Sequence, residues 1–118
     1  MTKKEQINSI KLDFEDLQSL LTAVGDPSRQ QILLVLMEHA DCSVGMRVGD
    51  ITSRTHLSRP AVSHQLKDLK DIGILGLRNE GTKNFYFIDV KNNRAMFGKM
   101  SKLVDDINGL MGMIEASK

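Results

Sequence analysis

Residues 50–75 read DITSRTHLSRPAVSHQLKDLKDIGIL, and their pattern decides the fold. Ser58 stands where a helix begins, able to accept a backbone N–H as N-cap, and Pro60 falls in the first turn, where its missing N–H costs nothing. Val62, Leu66, Leu69 and Ile72 recur at steps of four, three and three, which lines them along one side of a helix from Arg59 to about Ile72. Arg59, Ser63, Lys67 and Lys70 fall on the opposite side, with Pro60 and His64 at its margin. Gly73 closes the helix at a position suited to positive φ. A brief helix from about Asp50 to Thr55, with Ile51 inward, is expected just ahead of it.

Beyond Gly73 the period changes. Ile74–Arg78 and Asn84–Asp89 are β-prone runs, and Asn79-Glu80-Gly81-Thr82 between them reads as a turn, so the pair forms a hairpin. Two helices joined tightly and followed by a hairpin make a winged helix-turn-helix. The fold class expected is mainly α with a small β-hairpin wing.

Working outward, Gly25 ends a first helix, and Asp26-Pro27 starts a second with a capping carboxylate and a proline at the first helical position. Ile32-Leu33-Leu34-Val35-Leu36-Met37 is apolar around the whole circumference, which predicts a central helix covered on all sides. Residues 41–47 read as a turn-like connection, with a short strand around Met46–Val48. The first helix, about residues 6–24, carries Ile7, Ile10, Phe14, Leu17, Leu21 and Val24 in one stripe. A last helix, about residues 93–115, repeats Met96, Met100, Leu103, Ile107, Leu110 and Ile114 at alternating steps of four and three. A chain this short has few places to bury both stripes. Phe14, Leu17, Leu21, Met96, Met100, Leu103, Ile107, Leu110 and Ile114 are therefore expected at a homodimer interface, against the alternative that both stripes are intramolecular core. The whole chain, residues 1–118, reads as one domain, with the helix-turn-helix at about 48–73 and the wing at about 74–89.

Composition narrows the function. With 41% hydrophobic and 26% charged residues, the chain is globular in type and neither disordered nor fibrous. No apolar run is long enough to span a bilayer, no apolar leader is visible, and the single cysteine cannot form an internal disulfide, so a cytoplasmic protein is expected. Charge is unevenly placed: residues 1–26 carry three basic and five acidic side chains, residues 54–84 six basic and three acidic. The positive segment coincides with the helix-turn-helix and wing, which favours a nucleic-acid partner. Double-stranded DNA is the expected ligand, contacted from the recognition helix by Ser58, Arg59, Pro60, Ser63, His64, Lys67 and Lys70 and from the wing by Arg78, Thr82 and Lys83. Ser63 and His64 are the expected base readers. No nucleophile with a base, paired carboxylates or phosphate-cradling glycine loop points to an enzyme. The competing reading is a winged helix used to bind another protein without operator binding.

Residues 24–33, VGDPSRQQIL, resemble the entry to the second helix in the ArsR/SmtB family, where Asp-Pro-(Ser/Thr)-Arg is typical. Residues 57–67, LSRPAVSHQLK, resemble that family's recognition helix, and Gly73-Ile74-Leu75 its exit into the wing, so that similarity extends over most of residues 10–115. The resemblance implies a transcriptional regulator, a repressor bound as a homodimer to an inverted-repeat operator, with first and last helices forming the dimer. It implies metal sensing only in members with the ligands. The paired thiolates of the family's third helix fall at Arg47 and Gly49 here, and no histidine follows His64, so no metal or other cofactor is expected. His39 and Cys42 are three residues apart, which reads as a surface loop pair, and the inducer is not legible.

Overall fold

The computed structural model describes residues 1–39 and 44–117. Five helices and one hairpin follow in the order α1 (Lys3–Val24), α2 (Pro27–His39), α3 (Val48–Ser53), α4 (Arg59–Asp71), β1 (Leu75–Glu80), β2 (Lys83–Ile88) and α5 (Val90–Ala116). The expected order and kinds of element are all present.

The ends differ from expectation where caps act. Thr2 accepts the Glu5 N–H at 3.1 Å and donates its hydroxyl to the Glu5 carboxylate at 3.0 Å, so α1 starts at Lys3 and not near residue 6. This is a Thr-x-x-Glu capping signature, which an apolar-stripe reading does not use. The Asp89 carboxylate accepts the Asn92 N–H and starts α5 at Val90, three residues ahead of the expected Asn93. Asp26 accepts the Ser28 N–H at 2.9 Å and Ser58 accepts the Ala61 N–H at 3.3 Å, as their positions predict. Gly73 has φ +89°, the left-handed turn that lets α4 stop and the chain enter β1. The hairpin turn is tighter than expected: β1 runs to Glu80, which pairs with Lys83, leaving Gly81 and Thr82 at the bend. Met46 exchanges both backbone hydrogen bonds with Tyr86 at 2.8 Å, a single bridge where a short strand was expected.

The core gathers Ile32, Leu33, Val35 and Leu36 of α2, Ile51 of α3, Val62, Leu66 and Leu69 of α4, and Ile74 and Leu75 beside the wing. Leu34 and Met37 are 62% and 61% exposed, so α2 is not covered on all sides. Its neighbours close only one flank, and an all-apolar circumference does not by itself guarantee burial.

The terminal helices correct the reading of their stripes. α1 packs along α5. Leu17, Leu103 and Leu110 are only 2%, 3% and 9% exposed in a single chain, and Ile10, Leu20 and Ala23 of α1 join them in the core. These three leucines, expected at a dimer interface, are thus already covered within one molecule. Leu21, Met96, Met100 and Ile107 are half-buried against the same core. Phe14 and Ile114 remain exposed, together with Ile7, Phe97, Val104 and Met111, which the expected interface did not include. Phe97, Val104 and Met111 stand seven residues apart, beside the Leu103–Leu110 face, so α5 carries two apolar faces and not one. Lys102 joins the two helices from the side, donating to both Asp13 oxygens at 3.1 and 3.3 Å and to Asp106 at 2.8 Å.

Candidate nucleic-acid interface

α4 is held from below. Val62, Leu66 and Leu69 are fully buried, and Ile72 packs at their edge. The remaining face is open: Ser58, Arg59, Pro60, Ser63, His64, Lys67 and Lys70 are all exposed. One helix thus divides into an anchored apolar seam and an outward flank of short polar and basic side chains. The flank needs no rearrangement of the core to meet a ligand.

One contact steadies this helix against α2, and a second steadies the arginine that makes it. Arg29 Nη2 donates to Asp68 Oδ2 at 3.3 Å, and Arg29 Nη1 lies 3.7 Å from Asp26 Oδ2. The same Asp68 oxygen lies 3.4 Å from His64 Nε2 on the open face. A carboxylate shared in this way ties an expected base reader to the inner scaffold.

The wing places its residues unevenly. Thr82 sits in the bend and Lys83 next to it, both exposed. Arg78 lies further down the stem, opposite Phe85, and its guanidinium is engaged within the protein. Nη2 donates to the Val44 carbonyl at 2.9 Å, Nη1 meets Glu80 at 3.1 Å, and the charge rests 4.6 Å from the centre of the Phe85 ring. Arg78 therefore braces the middle of the wing's stem, two pairs below the bend, where the sequence reading expected a DNA contact. The reason is the tight turn, which adds residues to the stem between Arg78 and the bend.

Between α3, the start of α4 and the wing tip lies an open cleft of about 360 Å³, lined by Arg47, Gly49, Asp50, Arg59, Thr82 and Asn84. Arg47 and Asn84 were not among the expected site residues. The only signal for Arg47 in the sequence is a basic residue just before a short helix, which is too common to single out.

Among the described residues, no group of three or more His, Cys, Asp or Glu side chains is placed to hold a metal ion. Arg47 and Gly49 offer no ligand at the positions aligned with the family's thiolates, so that donor set does not fit a metal. Cys42, and with it the His39–Cys42 pair, lies outside the described residues. Among the described residues no helix is long and apolar enough to cross a membrane.

Residues 26–75, which span α2 to the first residue of the wing, match the model of the arsR family of bacterial regulatory proteins. An uncharacterized HTH-type transcriptional regulator of Methanocaldococcus jannaschii is 36% identical over 80% of this chain and 97% of its own length. The chain belongs to the ArsR family. The arsenical resistance operon repressor of Staphylococcus xylosus is 29% identical over 82% of this chain and 85% of its own. The homodimeric winged helix-turn-helix DNA-binding domain of a possible ArsR-family regulator from Mycobacterium bovis superposes with a TM-score of 0.57. It is 24% identical and covers 79% of this chain and 82% of that one. This ArsR-family chain is therefore a transcriptional regulator with the winged-helix fold, and the family is one of regulators and not of enzymes.

Proposed function

We propose that this protein is a cytoplasmic repressor that binds an inverted-repeat operator in double-stranded DNA as a homodimer. The observation that carries the reading is the division of α4. Its inner seam is fully buried, while Arg59, Ser63, His64, Lys67 and Lys70 face outward on a helix held in place by α2. A helix of this kind fits the major groove, where Ser63 and His64 offer hydrogen-bonding groups to base edges and Lys67 and Lys70 meet phosphates. Thr82 and Lys83 at the wing tip reach the adjacent backbone.

Two copies are part of the reading. Phe97, Val104 and Met111 are 41%, 50% and 50% exposed at heptad spacing, and Ile7 and Phe14 of α1 are each 46% exposed. A second copy covering these exposed residues would remove them from water and set two recognition helices on one face, as an inverted repeat requires. Repression is the sense of regulation in the names of two related proteins, while a third is named an activator.

Selection of bound duplexes from a random pool tests the proposal. The expected product is an inverted repeat whose affinity falls steeply with salt. Absence of salt-sensitive affinity for any duplex would refute it and favour a protein-docking role.

A further inference from the structure

Arg47 is a guanidinium that the reading above leaves without a task. It is exposed, precedes α3, and lines the cleft between α3, α4 and the wing. Arg59 faces the same cleft, its Nη1 lying 3.6 Å from where a Cβ on Gly49 would stand. Thr82 and Asn84 close the cleft from the wing with an hydroxyl and an amide. Asp50 is the one carboxylate lining it, and among the described residues neither Arg47 nor Arg59 has a carboxylate at ion-pairing distance. Two guanidinium groups against one carboxylate leave this small cleft with a positive excess that favours an anion. Arg59 belongs both to this cleft and to the open face of α4, so a duplex lying on that face brings its backbone to the cleft mouth.

We propose that Arg47 acts with Arg59 to seat one backbone phosphate of the bound duplex, with Thr82 and Asn84 donating from the wing. The seat joins recognition helix and wing on a single phosphate and so sets the register of α4 in the groove, without itself reading sequence. The proposal rests on the DNA-binding reading and extends the contact surface beyond α4 and the hairpin tip.

The test compares Arg47→Gln and Arg47→Lys with the wild-type protein, on the selected operator and on a scrambled duplex, across a salt titration. Loss of one phosphate contact lowers the log–log salt slope by about 0.9, equivalent to roughly eightfold weaker binding near 0.1 M monovalent salt. Arg47→Gln is expected to show this loss on both duplexes alike, and Arg47→Lys to retain most of the slope. Circular dichroism checks that the exposed substitution leaves the fold intact.

Unchanged affinity and slope for Arg47→Gln, while Lys67→Ala weakens binding, would overturn the seat and leave the DNA reading standing. So would a loss confined to the operator with no change in slope, since that marks a base contact. Inorganic phosphate at constant ionic strength distinguishes a free-anion site. If it raises the wild-type melting temperature, Arg47→Gln abolishes that rise, and duplex affinity is unchanged, the cleft serves a small anion and the proposal fails. A wild-type chain that binds no duplex would remove the DNA reading, and this seat with it.

Discussion

Arg29 and Asp68 meet at 3.3 Å although 39 residues separate them, and this pair locks α4 to α2. Arg29 comes from the Asp-Pro-Ser-Arg turn, where Asp26 both caps α2 and steadies the guanidinium. Asp68 in turn lies within 3.4 Å of His64. The motif at the start of α2 thus bears on an exposed side chain of α4, the one proposed above to read bases.

Substituting Arg29 by Gln is expected to cost about 1 kcal/mol of stability, since the pair is part-buried and one charged hydrogen bond is lost. Urea denaturation measures this. If His64 reads bases as proposed, the same variant should relax discrimination there while leaving the salt slope unchanged. A reduced slope with intact discrimination would mean that Arg29 itself reaches a phosphate.

Leu66 and Lys67 are neighbours with opposite tasks. Leu66 is fully buried, so Leu66→Ala should lose about 2–5 kcal/mol of folding stability. Lys67→Ala should leave the melting temperature nearly unchanged and weaken duplex binding by roughly 1–3 kcal/mol, or lower the salt slope by about one if its partner is a phosphate. Equal thermal effects from the two substitutions would contradict the orientation assigned to α4.

The same contrast holds on α5. Leu103 is 3% exposed and Val104 50%. Leu103→Ala should destabilise each molecule, whereas Val104→Asp should yield a folded monomer in sedimentation analysis. A Val104→Asp protein that still sediments as a dimer would place the second copy elsewhere.

Lys102 links α1 to α5 in a pH-dependent way. Its hydrogen bonds to Asp106 and Asp13 raise the ammonium above 10.5, and the bond from Lys102 holds the Asp106 carboxyl below its ordinary 3.8. For Asp106 the stabilisation is present above 3.8 and fades as pH falls through its lowered value. For Lys102 it is complete below 10.5 and fades as pH rises through its raised value. The difference in melting temperature between wild type and Lys102→Met should therefore be greatest near neutrality and shrink at both extremes. A difference that grows on acidification would contradict the link.

Much of this was legible without coordinates. The caps at Asp26 and Ser58, the turn at Gly73 and the seam of Val62, Leu66 and Leu69 are properties of a few adjacent residues, and each stands where its pattern places it. Other expectations depended on what comes alongside. The stripes of α1 and α5 were read as one face each, yet Leu17, Leu103 and Leu110 are covered within the chain while Phe97 and Val104 stay open. A helix wide enough to carry two apolar faces does not say which one its partner takes.

What the amino-acid order determined alone is the succession of helices and hairpin and the inner seam of α4, because hydrogen-bonding period and capping act within one or two turns. Only the tertiary structure decided that Arg78 ends on Phe85 and Val44, that Leu34 faces water, and that Arg47 shares a cleft with Arg59. Those outcomes depend on how distant elements dock, and the shape of a docked neighbour leaves no local period in the chain.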